Sequence, residues 1–321
     1  MKTINWGIIG CGKIANKFAT DLATIKNAKL VAVASRSQEN ANAFATKYNA
    51  EKAYNSYSDL AKDANVDAVY IATPHSFHKE HSMLCLKHKK AVLCEKPFAM
   101  NREEVEEMIA VAKENNVLLM EALWTYFLPH YKFVLDIFKS KKYGDLKELT
   151  ADFGFKATYN LESRLIKKEV GGGSLLDIGI YPIFAALSTL GMPNSKEAKA
   201  TFFETGADSE CTMVFNYNNA TANLKSTLLE DTKTEAIFTF EKAIVTINTM
   251  FHEPTTVTIF KDNKKEIIDF NYTTIGYNFE AEHFNQLLRE GKKESDVMTF
   301  DFSRNLIKTL DLVRKEINLE Y

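Results

Sequence analysis

The stretch Ile4-Asn5-Trp6-Gly7-Ile8-Ile9-Gly10-Cys11-Gly12-Lys13-Ile14-Ala15 decides the fold. Residues 4–9 read as a buried strand and residues 15–22 as a helix. Between them, Gly10 permits a tight turn, Gly12 lets the backbone approach a pyrophosphate, and Ala15 is small enough for close helix–strand packing. The helix start then offers free N–H groups and a positive dipole end to an anion. A tight strand–helix turn of any kind fits three small residues. The order strand, turn, helix at the head of the chain selects a dinucleotide-binding turn, with Gly10, Cys11, Gly12, Lys13 and Ile14 as cofactor contacts.

Working outward, residues 30–34 form a second strand, followed by Ser35-Arg36-Ser37. An acidic residue about 20 positions beyond the glycines holds the ribose 2′-hydroxyl of NAD. Here an arginine stands instead, suited to grip a 2′-phosphate and to lie against adenine. Ser35 and Arg36 therefore favour NADP over NAD, although a solvated loop arginine remains open. The next strand, 66–72, runs into Thr73-Pro74-His75-Ser76-Phe77-His78. Thr73, Pro74, His75 and His78 are expected to border the cofactor. Neither histidine has a cysteine or carboxylate at metal-ligand spacing, so no metal is expected and a structural or substrate-rim role is favoured.

Residues 80–89 read as a helix, and Ala91-Val-Leu-Cys94 as a buried strand ending in Glu95-Lys96-Pro97. Proline cannot extend a sheet ladder. A lysine at the carboxyl end of a parallel strand points into the crevice where open α/β sheets bind ligands. Asn101 caps a helix over 102–115, with Glu103 and Glu104 in its first turn, and a further strand follows at 117–122. Alternating strands and helices imply a doubly wound parallel sheet.

After Trp124 the rhythm changes. A helix is expected over 129–139, a strand over 146–157, and a charged loop over 162–170. Strand-like segments then recur at 200–204, 211–217, 220–229, 234–240, 244–249, 255–260 and 266–270, with Asn218-Asn219 and Asp262-Asn263 as hairpin turns. Strands without intervening helices imply an antiparallel sheet, closed by helices near 278–289 and 301–318. The expected fold is a Rossmann domain over residues 1–122 and an α+β substrate and dimerisation domain with a large open antiparallel sheet over 123–321.

The 321 residues carry a net charge of -2, with 45% hydrophobic and 26% charged. Nothing here argues for nucleic acid or an anionic membrane. No stretch reads as the roughly 20 apolar residues of a membrane span. Cys11, Cys85, Cys94 and Cys211 show no disulfide or metal framework, which suits a reducing cytoplasm.

Gly171-Gly172-Gly173-Ser-Leu-Leu-Asp177-Ile-Gly-Ile-Tyr181 is the second informative stretch. In a helix, Asp177 and Tyr181 at i and i+4 share a face. A capping aspartate and a packed tyrosine remain the plain alternative. Together with Gly10-x-Gly12-x-x-Ala15 and Glu95-Lys96-Pro97, this stretch resembles the glucose–fructose oxidoreductase/inositol dehydrogenase (Gfo/Idh/MocA) family over essentially the whole chain. Glu121-Ala-Leu-Trp124-Thr and Ser163-Arg164-Leu165 resemble the branch of dimeric dihydrodiol dehydrogenases and NADP-dependent D-xylose dehydrogenases. The resemblance implies a sheet domain that pairs in homodimers. It implies tyrosine, at position 181, where most of the family has histidine. Tyr126 stands where the branch would place arginine.

The residues support alcohol oxidation on their own terms. That reaction needs a hydride acceptor and a base for the hydroxyl proton. A tyrosine with pKa about 10 is a poor base at neutral pH, and a nearby ammonium lowers that value. Tyr181 as acid–base, Lys96 as its partner and Asp177 as orienting group form the expected catalytic set. Glu95 and Trp124 are added to the cofactor contacts, and Trp124, Phe153, Phe155, Arg164, Asp177 and Tyr181 to the substrate side. Arg164 either meets substrate hydroxyls or pairs with Glu162. Asp177, His75, Arg164 and Tyr126 are a supply of polar partners for a neutral aldose such as D-xylose, oxidised to its lactone; a trans-dihydrodiol is the alternative. The rival of another class is a non-catalytic NADP-binding sensor, which has no use for the Lys96, Asp177 and Tyr181 set.

Overall fold

A computed structural model describes residues 2–321. The chain forms two compact units, one of residues 2–124 with Thr274–Arg304, the other of Thr125–Thr273 with Asn305–Tyr321. A single cut at residue 122 misses this return of 274–304 to the first unit.

The first unit carries strands β1 (Ile4–Ile9), β2 (Ala28–Ala34), β3 (Lys52–Tyr54), β4 (Ala68–Ile71), β5 (Ala91–Glu95) and β6 (Leu119–Ala122), with helices α1 (Lys13–Leu22), α2 (Gln38–Tyr48), α3 (Tyr57–Lys62), α4 (His78–Lys87) and α5 (Arg102–Asn115) between them. All pairings are parallel, in the order β3-β2-β1-β4-β5-β6. The order reverses between β1 and β4, the switch point beside which doubly wound sheets bind ligands. Register aligns the carboxyl ends: Ile9 faces Ala34 and Ile71, Ile71 faces Cys94, and Cys94 faces Glu121. Gly10, Ser35, Thr73 and Lys96 therefore leave the sheet along one edge. Asn101 caps α5 as expected, accepting from Glu104 N.

The returning segment adds α8 (Tyr277–Arg289). Its face meets the aromatic core of this unit. Trp6 and Phe284 have ring centroids 5.2 Å apart, Phe18 stacks on Tyr70 at 3.8 Å, and Trp6 Nε1 donates to Asn285 Oδ1. Such a core stabilises the unit through buried aromatic area and offset ring packing.

The second unit is built on an eight-stranded sheet: β7 (Leu146–Gly154), β8 (Ser195–Phe202), β9 (Asp208–Asn216), β10 (Thr221–Thr227), β11 (Ala236–Phe240), β12 (Ile244–Ile247), β13 (Val257–Lys261) and β14 (Lys264–Ile268). Its order is β14-β13-β12-β11-β7-β10-β9-β8. The large antiparallel sheet expected from the sequence is present, with one parallel ladder in it, between β7 and β10. Between them the chain passes through α7 (Ile180–Leu190) and the β8–β9 hairpin, which brings β10 back beside β7 in the same direction. Asp262 and Asn263, both at positive φ, make the tight β13–β14 turn. Along β7, Leu149, Ala151 and Phe153 are buried while Thr150 is exposed, the period-two pattern of a sheet with one covered face. Helices α6 (Pro129–Lys139) and α7 pack against this sheet; a last helix, α9 (Phe300–Glu316), closes the chain.

Helical structure over Lys168–Leu190 is long and apolar enough by composition to cross a bilayer, against the expectation of no such stretch, but its most apolar 18-residue window is 94% buried inside the protein. Its apolarity thus fills a core.

Candidate active site

The cofactor side is assembled on the first unit. Gly10 has φ +95, and a Cβ there would lie 2.7 Å from the carbonyl oxygen of Ala72, so the β1 turn passes too close to the end of β4 for any side chain. At Gly12 a Cβ would meet nothing within 4 Å. Gly12 precedes α1, no side chain caps that helix, and no acid stands in its first turn. The N–H groups at the start, at Lys13 and Ile14, thus belong to an uncapped helix end facing open space. This fits a dinucleotide pyrophosphate. Cys11 donates to Ala34 O at 3.6 Å, and burial pushes its thiol up to about 11.

Arg36 is exposed at the end of β2. Its charge bears on His81, whose pKa falls to about 4 through burial first and Arg36 second. His81 in turn holds Thr73 Oγ1 at 3.0 Å and packs edge-on against Tyr57. An exposed guanidinium beside the glycine turn, with no carboxylate in its place, suits a 2′-phosphate. His75 is 6% exposed and packs against His78. His78 is wholly buried, with its ring nitrogens 2.8 Å from Thr73 O and Pro97 O. It therefore ties the exits of β4 and β5 together from inside. Burial pulls it down to about 4 against those two carbonyls, and a neutral ring donates to only one of them.

Lys96 follows β5, and its peptide bond to Pro97 is cis. Its N–H donates to Glu95 Oε2 at 3.1 Å, while Tyr70 Oη donates to Glu95 Oε1. Two more carboxyls lie behind it. Glu121 accepts from Phe98 N at 3.0 Å, and burial raises its pKa to about 7. Glu280, on α8, is 0% exposed with neither carboxyl oxygen hydrogen-bonded, and burial, then Glu95, push it well above the carboxylate range. A protonated acid there avoids burying a second charge beside Glu95. Trp124 is buried and stacks on Tyr277 at 4.3 Å.

The second unit carries the other candidates. Asp177 does not enter on a regular α-helix: Leu175–Gly179 forms a π turn that leads into α7. Asp208 anchors it, accepting from Ser174 Oγ and Leu175 N, each at 2.7 Å. Arg164 Nη1 donates to Asp177 Oδ1 at 3.1 Å, whereas Glu162 pairs with Lys167. The alternative pairing of Arg164 with Glu162 is thus replaced: the loop folds back over the π turn. Tyr181, 5% exposed, lies 5.6 Å from Phe153 between ring centroids, and Phe155 continues that row at 6.4 Å. Tyr126 is turned into the unit, edge-on to Phe184 at 5.0 Å, and burial raises its pKa.

One residue of this cluster has no counterpart in the sequence reading. His252 stacks on Phe153 at 4.2 Å and sits 4.8 Å from Tyr181. A lone histidine in Met250-Phe251-His252-Glu253-Pro254 carries no motif, and only the fold brings it to Tyr181. Among the described residues, no group of three histidine, cysteine or acidic side chains is arranged to hold a metal ion.

Residues 4–123 match the oxidoreductase family with an NAD-binding Rossmann fold, and residues 131–260 match the GFO/IDH/MocA C-terminal domain. The chain is 36% identical over 329 residues to trans-1,2-dihydrobenzene-1,2-diol dehydrogenase of Xenopus tropicalis, with 98% of each chain covered. It is 36% identical over 328 residues to scyllo-inositol 2-dehydrogenase (NADP(+)) of Bacillus subtilis, covering 99% of this chain and 98% of the other. Among solved structures, a 3-ketoreductase from Actinomadura kijaniata in complex with NADP and TDP-benzene superposes with a TM-score of 0.89 at 26% identity, over 98% of both chains. Aldose-aldose oxidoreductase from Caulobacter crescentus shares the fold, with a TM-score of 0.90 at 19% identity, over 99% of this chain and 98% of that one.

Proposed function

The chain belongs to the GFO/IDH/MocA family of oxidoreductases, and from that premise we propose that it is an NADP-dependent dehydrogenase of CH–OH groups acting on a neutral polyhydroxylated ring. An aldose such as D-xylose, oxidised at C1 to the lactone, is the substrate we favour. Relatives named for dihydrodiol and inositol oxidation, and a solved relative holding NADP, support the chemistry and the cofactor. The single observation that carries the reading is Tyr181, held against Phe153 and His252 with the Asp177–Arg164 pair at the start of its helix.

NADP, when bound, supplies the hydride acceptor. The Gly12 turn and the α1 start would hold its pyrophosphate, and Arg36 its 2′-phosphate. Tyr181 takes the hydroxyl proton at Oη as general base. Lys96 is read as its electrostatic partner, since an ammonium beside a phenol favours the phenolate. Asp177, its carboxylate oriented by Arg164, accepts hydrogen bonds from substrate hydroxyls. Phe153 offers an aromatic face to the C–H side of a sugar ring. Tyr181→Phe tests this: turnover of aldoses with NADP, followed by nicotinamide absorbance, falls by about 10²- to 10⁴-fold, with NADPH affinity unchanged. A protein that binds NADPH tightly yet turns over no aldose, inositol or diol would instead be a sensor.

We further infer a homodimer formed through the open face of the second unit's sheet, in a cytoplasmic setting. Val214, Ile244, Phe260 and Ile267 are exposed large apolar residues, and the strand register sets all four on that face. The four cysteines are free thiols. Light scattering on the purified protein reads the assembly directly, and Val214→Lys with Phe260→Lys should yield monomer.

A further inference from the structure

Asp208 opens β9 and is wholly buried. Its Oδ2 accepts from Ser174 Oγ and from Leu175 N, each at 2.7 Å. Ser174 is also wholly buried, and its hydroxyl lies 3.0 Å from the buried Ser226 Oγ on β10. Gly173, at φ +124, makes room for the carboxyl, since a Cβ there would overlap Asp208 Oδ1. The Gly173 N–H donates in turn to Leu165 O at 2.9 Å, next to Arg164 in the chain.

A buried carboxyl costs free energy that an apolar side chain in its place does not. Burial raises the Asp208 pKa against the opposing pull of Ser174 and Leu175. A helix start does not need such a group, because one serine or threonine hydroxyl satisfies a first-turn N–H. What the grip secures is a shape. Leu175–Gly179 is a π turn that leads straight into α7. Such a turn closes i→i+5 and holds one residue more than an α turn. Residues ahead of it are therefore rotated against those behind it by up to about 100°, the arc of one α-helical residue. Asp177 sits inside the turn and Tyr181 just beyond it. The turn thus sets the angle between a carboxyl that meets Arg164 at 3.1 Å and a phenol that packs 5.6 Å from Phe153. π turns are rare, and here Asp208 supplies the tertiary contact that holds one.

We propose that Asp208 is a positioning residue for the reaction: through Ser174 and Leu175 it holds the π turn, and so keeps Asp177 and Tyr181 at the angle one substrate ring requires. The proposal rests on the reading of Tyr181 as the acid–base and of Asp177 as its neighbour on the substrate. Asp208→Ala removes the grip. Asp208→Asn keeps a carbonyl oxygen for Ser174 Oγ and Leu175 N.

The experiment measures kcat and KM with NADP on whichever of D-xylose, scyllo-inositol and trans-cyclohexane-1,2-diol the wild type turns over fastest. Each kcat is expressed per NADPH-binding site, so that unfolded protein is not counted. Asp208→Ala is expected to lower kcat by about 10- to 100-fold, the effect of a displaced reacting group, with NADPH affinity within about twofold of wild type. Asp208→Asn should return kcat to within about fivefold of wild type. A crystal structure of Asp208→Ala should show residues 175–179 closed as an α turn, with Asp177 parted from Arg164. A merely structural role would lower stability and leave kcat per site unchanged. An unchanged kcat in Asp208→Ala therefore overturns the proposal, as does an Asp208→Asn no better than Asp208→Ala, or a π turn that survives Asp208→Ala. Should Asp208→Ala not fold, Ser174→Ala removes one of the two contacts and should lower kcat by about three- to tenfold; an unchanged value there overturns the proposal equally. Tyr181→Phe is measured in parallel. Full activity in that variant removes the reading beneath the proposal, whereas an inactive Tyr181→Phe beside an indifferent Asp208→Ala removes the role of Asp208 alone.

Discussion

Arg164 reaches across thirteen residues of chain to Asp177, its Nη1 donating to Oδ1 at 3.1 Å, with the arginine half-exposed and the aspartate side chain 9% exposed. The asymmetry sets what each contributes. A solvated guanidinium is replaceable by water, and such a pair contributes at most about 1 kcal/mol. Arg164→Gln should therefore lower kcat/KM by no more than about fivefold. Removing the buried carboxylate takes away the group proposed to meet substrate, and Asp177→Ala should cost about 100-fold or more, mostly in kcat/KM rather than in NADPH affinity. Steady-state kinetics on both variants checks the order; an Arg164→Gln effect larger than that of Asp177→Ala would reverse the assignment.

A second carboxylate acts at a distance on the fold. Asp21, on α1 and 1% exposed, accepts from Ile275 N at 3.1 Å, Gly276 N at 2.7 Å and Tyr277 N at 2.8 Å. It thereby caps α8 from the opposite end of the sequence, where Gly276 has no side chain to do so. A negative charge also suits a helix start. Asp21→Ala leaves several buried N–H groups unsatisfied and should cost about 3 kcal/mol in urea unfolding. Asp21→Asn, which keeps an acceptor oxygen, should cost about half as much.

Acid should loosen the loop that carries His252. His130 Nε2 donates to Phe251 O at 3.0 Å, and its Nδ1 accepts from Tyr272 Oη at 2.6 Å, a pattern that requires the neutral ring. Burial pulls its pKa from 6.5 to about 4. Because the folded value lies below the unfolded one, its contribution is full above pH 6.5 and is lost as pH falls toward about 4. The loss amounts to about 3 kcal/mol across that window. His130→Phe should be less stable at pH 8 but have a shallower fall of stability with pH, by about one proton. Denaturant unfolding at several pH values reads the two slopes, and equal slopes would mean that His130 is not the titrating group.

These relationships divide along what a sequence can express. The Gly10–Ala15 turn, the Asn101 cap and the Asp262–Asn263 hairpin are local, each decided by residues within one turn of chain, and they stand where the sequence puts them. Lys96 and Tyr181 stand out in the sequence because their neighbours form motifs. Asp21 gives no such signal: its partners lie more than 250 residues away, and an aspartate on a helix ordinarily faces water. The parallel β7–β10 ladder is invisible for the same reason, since strand patterning fixes which face is buried but not which strand lies alongside. The π turn at Leu175–Gly179 comes from Asp208 gripping Ser174 and Leu175, a tertiary contact that overrides the even helical spacing of Asp177 and Tyr181. Glu121 and Glu280 look like ordinary solvated carboxylates until the fold buries them.

Arg36 is the residue proposed to decide cofactor choice, standing in Ser35-Arg36-Ser37 where an NAD-binding turn would carry an acid. The guanidinium stands exposed at the end of β2, close enough for its charge to depress His81 and to bear on the Tyr57 phenol. Paired to a 2′-phosphate it would make charge-assisted hydrogen bonds, each about twice as strong as a neutral one. An aspartate there repels the phosphate and accepts from the 2′-hydroxyl of NAD instead. Arg36→Asp should thus weaken NADPH binding by about 100-fold or more while leaving NADH binding equal or improved, because two such bonds are lost and a like charge is added. Fluorescence titration with each reduced cofactor measures both constants. Arg36→Gln separates the two contributions, since it removes the cation without adding the anion and should fall between wild type and Arg36→Asp. Comparable NADPH affinity in wild type and Arg36→Asp would show that the 2′-phosphate is held elsewhere.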